Sequence, residues 1–418
     1  MSADARECLS KLISRFHDRL DLYGCINRVG PFVGQLLKNE IAPIFGIERW
    51  ATGLNQLDEL SYYRLRLALR LATLFLTEDC TLGWFAHYTF GRRTTNSSGT
   101  YISSTEYSES REARDKVKKK IRALGKDLTL MLRPAIGEDD GSYGATYSSK
   151  RFLPFYHCFR ESDWPDTADD RCRHPVIVLH NDFFQYFSQN LQDANADVWI
   201  RTQFLFAATL VHEVCHAYSM WLEIDREEPL FRKEDKKAEL GFSWETEVLG
   251  YICNPLFHDI TGCEMLLSMK AISYQDDRSQ PAIVRKLIGN HPSHFLRMNP
   301  AHFQDLFKLQ GYRGGSFYAG ERFNSRRKWV IAIYALSLQW IACWFDQASW
   351  EARRYQWRHT GRYVPTPLES FVLVYQKKGD VVWVHYPLDP RMEEDVAWIP
   401  VAAERERQRG GDKLRCIP

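Results

Sequence analysis

Between residues 204 and 224 the chain is apolar nearly all round, as a buried helix is, except at Thr209, His212, Glu213, His216, Ser219 and Glu223, which recur at helical spacing. Such a polar stripe marks either a partly exposed face or a site cut into a core helix. Asn195, in the Asp193-Ala194-Asn195 run that precedes it, is suited to cap the helix. Apolar positions three and four apart predict further helices over 8–22 and 57–76. Residues 91–100 read as a polar loop, followed by a mobile Ser/Thr/Glu-rich run and a charged helix over 110–132. The β-branched run Val176-Ile177-Val178-Leu179 predicts a strand. Helical periodicity resumes over 238–253 and stops at Asn254-Pro255. Residues 256–325 read as short helices and loops, 327–354 as one long Trp-rich helix, and 371–386 as a β-hairpin turning at Gly379. From residue 402 a charged tail follows.

The chain is therefore expected to be α+β and predominantly helical. Breaks near Arg133-Pro134 and 300 divide it into a helical region over 1–135, a central region over 136–300, and a C-terminal region over 301–418 with the long helix and hairpin. One elaborated domain is the alternative.

Composition narrows the class. With 44% hydrophobic and 26% charged residues and a formal net charge of +2, nothing pulls the chain as a whole toward nucleic acid or a membrane. Lys116 to Lys120 fall within a mixed-charge helix and read as a solvated face. The ten cysteines are scattered without a Cys-x-x-Cys pair, the usage of reduced thiols. No signal-like start and no apolar run of membrane-spanning length is seen, so a soluble, cytoplasmic protein is expected. Oligomeric state is not encoded in these features.

The chemistry lies in the stripe, where His212-Glu213-x-x-His216 puts the Cβ atoms of two histidines roughly 6 Å apart on one helix face, so that both imidazoles can reach one metal ion. Glu213 is placed to face a water on that metal. Two histidines leave a zinc ion under-coordinated, so a third ligand is needed, with a fourth position for water. The histidine extension of the motif fails, because Ser219 and Leu222 stand where it requires Gly and His. A carboxylate from the next helix is left. Glu245 shares the most apolar stripe, with Ala238, Gly241, Phe242, Leu249 and Ile252, where an unpaired carboxylate is costly, and it is the foremost candidate. Glu239 is the alternative third ligand, or a partner for the far nitrogen of a ligating histidine. Glu247 follows.

These residues resemble the zincin metallopeptidases, in the gluzincin arrangement of two His and one Glu. Glu239-Leu240-Gly241-Phe242-Ser243 is similar to the Asn-Glu-Gly-Phe-Ala around the third ligand of zincin aminopeptidases, with an extra Leu and no Asn. Glu245-Thr246-Glu247-Val248 is similar to the third-ligand helix of small repressor-cleaving zincins, so the two likenesses point to different glutamates. The resemblance implies a zincin-like core, Zn2+ held by His212 and His216, and Glu213 as general base in hydrolysis of a peptide or protein substrate. It also implies an oxyanion donor, for which Tyr251, His258, His291 and His294 are available. A zincin-fold protein that binds or regulates without catalysis is the alternative. A strand before the helix, with His180 at its end, would border the substrate cleft.

Overall fold

The computed structural model describes residues 14–26, 35–52, 57–97, 99–133, 142–165, 174–189, 195–223, 227–235, 238–255, 258–259, 262–274, 276, 278–288, 293–298, 328–366, 370–378 and 381–393. It is mixed α and β, with several small sheets. The chain forms two compact units, one from Met1–Arg28, Met265–Ser337 and Leu368–Pro418, the other from Val29–Glu264 and Leu338–Pro367. Neither coincides with one of the three consecutive regions expected from the sequence. Among the described residues, no helix is long and apolar enough to cross a membrane.

The unit that holds the His-Glu-x-x-His motif is built on two helices, α1 (Glu59–Thr77) and α5 (Ala196–Leu222), with α2 (Gly83–Phe90), α3 (Arg111–Asp127), α4 (Asn181–Ser188), α6 (Leu240–Trp244), α7 (Leu338–Phe345) and α8 (Gln347–Thr360). Asp58 caps α1 by accepting from the Ser61 amide, and Asn195 caps α5 by accepting from the Asp197 amide, as expected of it. Leu65, Ala68, Leu69, Leu71, Ala72 and Phe75 of α1 are fully buried, and α5 is buried on every side over most of its length. The two are joined through the buried amide of Gln203, which accepts from Ala68 N at 2.9 Å and donates to Arg64 O at 2.7 Å. Both ends of that amide are thereby satisfied in a core where an unpaired one would cost about 1–3 kcal/mol. Phe206 of α5 stacks on Trp50 and meets Phe183 edge-on.

Beside α5 lies a three-stranded sheet in the order β3 (Thr129–Leu132), β5 (Val176–Leu179), β4 (Gly144–Tyr147). β3 runs parallel to β5, and both are wholly buried, as parallel strands usually are. β4 runs antiparallel to β5 and is half-buried along its length, as an outer strand is. The strand expected at 176–179 is present, and the charged helix expected to reach 132 stops at Asp127, because Thr129–Leu132 pairs with that strand. The expected loop at 91–100 is a hairpin of β1 (Arg92–Asn96) and β2 (Gly99–Ser103). Polar strands hide in composition, but Thr95 and Thr100 face each other with hydroxyls 3.0 Å apart, and Gly99 takes a φ of +127° that suits glycine.

The other unit is an antiparallel sheet with strands in the order Ser293–Met298, Val381–Pro387, Ser370–Lys378, Lys328–Leu336 and Leu266–Tyr274. The expected hairpin over 371–386 is there, its turn outside the described residues. The long helix expected over 327–354 is instead the strand Lys328–Leu336 followed by α7 and α8. Val330 and Ala332 alternate onto one face beside Val372 and Val374, and pack against Val284, Leu287 and Ile288 of the helix Gln280–Ile288. That period of two, in a β-branched run, outweighed the continuous hydrophobicity read as helical. Within 256–325, expected as short helices and loops, Leu266–Tyr274 and Ser293–Met298 are likewise strands with partners far along the chain. Residues 299–327 and the tail from 394 lie outside the described residues.

Candidate metal centre

α5 presents His212 and His216 toward the segment that leads into α6, and Glu213 toward β4. His212 and Glu213 are buried, at 7% and 6% exposure. The Nε2 atoms of His212 and His216 lie 3.4 Å apart, and Oε1 of Glu239 stands 3.1 Å from the first and 3.0 Å from the second. Among the described residues, these three side chains form a group whose ligand atoms converge closely enough for one ion. A tetrahedral site with bonds of about 2.0–2.1 Å has ligand atoms about 3.3–3.4 Å apart along each edge, so the triangle fits a zinc-sized cation.

The opposite nitrogens are also engaged. His212 Nδ1 lies 2.8 Å from Glu245 Oε1, and His216 Nδ1 lies 2.5 Å from Glu228 Oε1. A carboxylate accepts from a ring N–H, so each contact fixes the proton on Nδ1 and turns the Nε2 lone pair inward. Each carboxylate is itself held by the backbone. Glu245 Oε2 accepts from Cys253 N at 2.9 Å, Glu228 Oε2 from Leu240 N at 3.3 Å, and Glu239 Oε2 from Phe242 N at 2.5 Å.

Electrostatics follow this crowding. Burial alone would depress the imidazoles, but Glu239 and Glu245 raise the pKa of His212 well above its usual value, and Glu228 and Glu239 push His216 up to about 10. Burial works against the charge of Glu239 as well, and the facing imidazoles override it and hold the carboxyl well below its usual range. The pocket thus calls for positive charge. Protons or a cation supply it, and the two compete.

Close approach sets two backbone positions. A Cβ on Gly241 would come within 2.2–2.4 Å of three atoms of the His212 ring, so α6 can lie against that imidazole only with glycine there. A Cβ on Gly144 of β4 would come within 2.8 Å of Glu213 Oε1. The neighbouring Thr146 donates its hydroxyl to Glu213 Oε2 at 2.7 Å.

The foremost sequence candidate for third ligand, Glu245, therefore sits behind His212, and Glu239 occupies the inner position. The reason lies in the backbone. The helix expected over 238–253 begins only at Leu240, with Glu239 as its extended N-cap (φ −156°, ψ 100°), and from Glu245 to Leu249 it widens into a π-turn ended by Gly250 in the left-handed region. Regular helical spacing does not describe those glutamates. Glu247 pairs instead with Arg232 at 2.6 Å.

Of the candidate oxyanion donors, Tyr251 is half-buried with its ring edge-on to Trp340, and His258 begins the two-residue strand His258–Asp259. His294 belongs to a strand of the other unit, and His291 lies outside the described residues. His180 caps α4, its Nδ1 accepting from Asp182 N at 3.2 Å. Lys116 and Lys118 pair with Glu112 and Asp79. Sequence reasoning missed Glu228, Thr146, Gly144 and Gly241 as parts of the centre. Glu228 follows α5 in a polar turn with no periodicity, and Thr146 arrives from a distant strand, so no local signal marks them. No family model, curated protein or solved structure matches the chain.

Proposed function

We propose that the protein is a zinc-dependent peptide or amide hydrolase of zincin-like, gluzincin type. The observation that carries this reading is the triangle of His212, His216 and Glu239 with both outer imidazole nitrogens bound to carboxylates. Any buried histidine satisfies its ring nitrogens, but a structural role gives no reason for two imidazoles to turn their inner nitrogens to within 3.4 Å of each other around one carboxylate. His212, His216 and Glu239 would hold the ion, and a bound Zn2+ supplies Lewis acidity and brings the pKa of a water ligand to about 7.

The chain's own residues do the rest. Glu213, next to His212 on the same helix, takes a proton from the attacking water and delivers it to the leaving amine. Thr146 and Gly144 fix where its carboxylate sits. An extended substrate has a natural berth along β4, an outer strand of its sheet, whose residues touch Glu213 directly. This favours a peptide over a compact small molecule.

The test combines metal analysis with cleavage of a broad peptide library. Zinc-loaded protein is expected to cleave, Glu213→Gln to keep its zinc and lose about 10²–10⁴-fold in rate, and Glu239→Gln to lose zinc. Protein that binds no divalent metal, or a Glu213→Gln variant as active as the parent, would end the hydrolase reading. Zinc binding without cleavage of anything would favour a binding or regulatory role.

A further inference from the structure

We infer that Glu228 is a positioning residue of the metal centre and that the β1–β2 hairpin holds it in place, so that metal affinity depends on strand pairing that includes none of the three ligands. The inference rests on the metal reading above and not on hydrolysis.

Glu228 follows α5 in the sequence. Two residues on, Leu230 adds to β2 as a one-residue parallel strand, donating its amide to Thr100 O at 2.9 Å and accepting from Ile102 N at 3.1 Å. Phe231 follows, its ring stacked on Trp84 with centroids 5.3 Å apart, and its carbonyl 3.2 Å from His87 Nε2. Pro229 stands between, with its own φ fixed and Glu228 restricted to extended backbone. Two residues span at most about 7 Å, so the Glu228 backbone cannot stray from the hairpin-bound Leu230.

From there its carboxylate bridges two parts of the centre. One oxygen receives His216 Nδ1, and the other receives the amide of Leu240, the residue after the inner glutamate Glu239. Glu228 thus orients a ligand ring and ties down the start of the helix that carries the third ligand. An ion pair serving stability alone would need neither the second bond nor a rigid tether.

The full-length protein is titrated with Zn2+ against a chromophoric chelator. Wild type is expected to bind, and Glu228→Gln and Glu228→Asp to bind about 10–100-fold more weakly, the second because its carboxylate keeps its charge but falls short of the ring. Leu230→Pro, which removes the amide donated to Thr100, is expected to weaken binding too, and to add nothing in a Glu228→Gln background. Should Leu230→Pro fail to fold by circular dichroism, Gly99→Val, which strains the positive-φ residue of β2 next to Thr100, takes its place. Wild-type affinity in both Glu228 variants overturns the inference while leaving the metal reading intact. Normal affinity in a folded Leu230→Pro or Gly99→Val variant overturns the role of the hairpin. Wild type that binds no zinc removes the metal reading and this inference together.

Discussion

Thr146 donates its hydroxyl to a carboxylate oxygen of Glu213 at 2.7 Å, across the junction between β4 and the motif helix. The strand proposed to receive substrate therefore also aims the proposed base. A hydrogen bond to a charged acceptor contributes about 1.5–3 kcal/mol. Thr146→Val is expected to lower kcat by about 10–100-fold with KM and zinc content nearly unchanged, and Thr146→Ser to recover most of the loss. Steady-state kinetics on a cleaved peptide decide it. A fall in KM-normalised rate that follows zinc loss, or no fall at all, counts against the assignment.

Gly241 is the position where α6 lies against the His212 ring. Adding one methyl there forces the imidazole or the helix to move. Gly241→Ala is expected to cut zinc affinity by more than tenfold, although alanine is the better helix former by about 1 kcal/mol. Chelator competition measures the first and thermal unfolding of the metal-free protein the second. Unchanged affinity would mean that the ring relocates without consequence.

His385, at 3% exposure in the strand Val381–Pro387, supplies a pH dependence in the unit that does not carry the candidate metal centre. Burial pushes its pKa down to about 4, below the value of about 6.5 for an unfolded chain. Between those values the unfolded state binds the extra proton. The contribution to stability is thus complete above about pH 6.5 and is lost as pH falls through 4, a change of about 3 kcal/mol. Denaturant midpoints measured from pH 7 to 4 should fall less steeply in His385→Leu than in wild type. Identical slopes would show that the histidine does not titrate with unfolding.

Much of the motif-bearing unit is legible in residue order because its signals are local. The helices at 59–77 and 196–222, the strand at 176–179 and the cap at Asn195 follow from spacing and residue type within a few turns of chain. The strands at 328–336 and 266–274 do not, since their partners lie dozens of residues away and a continuous apolar run satisfies a buried helix equally well.

The amino-acid order by itself determined that two imidazoles share one face of a core helix, with Glu213 beside them, because four-residue spacing on a regular helix leaves the rings no freedom in the matter. Which acids meet those rings was decided only by tertiary structure. Glu239 and Glu228 reach the rings from an N-cap and from the residue before Pro229, Glu245 from the head of a π-turn, and Thr146 approaches the motif helix from a strand. None of these positions repeats with a helical period, and only packing brings them within hydrogen-bond range.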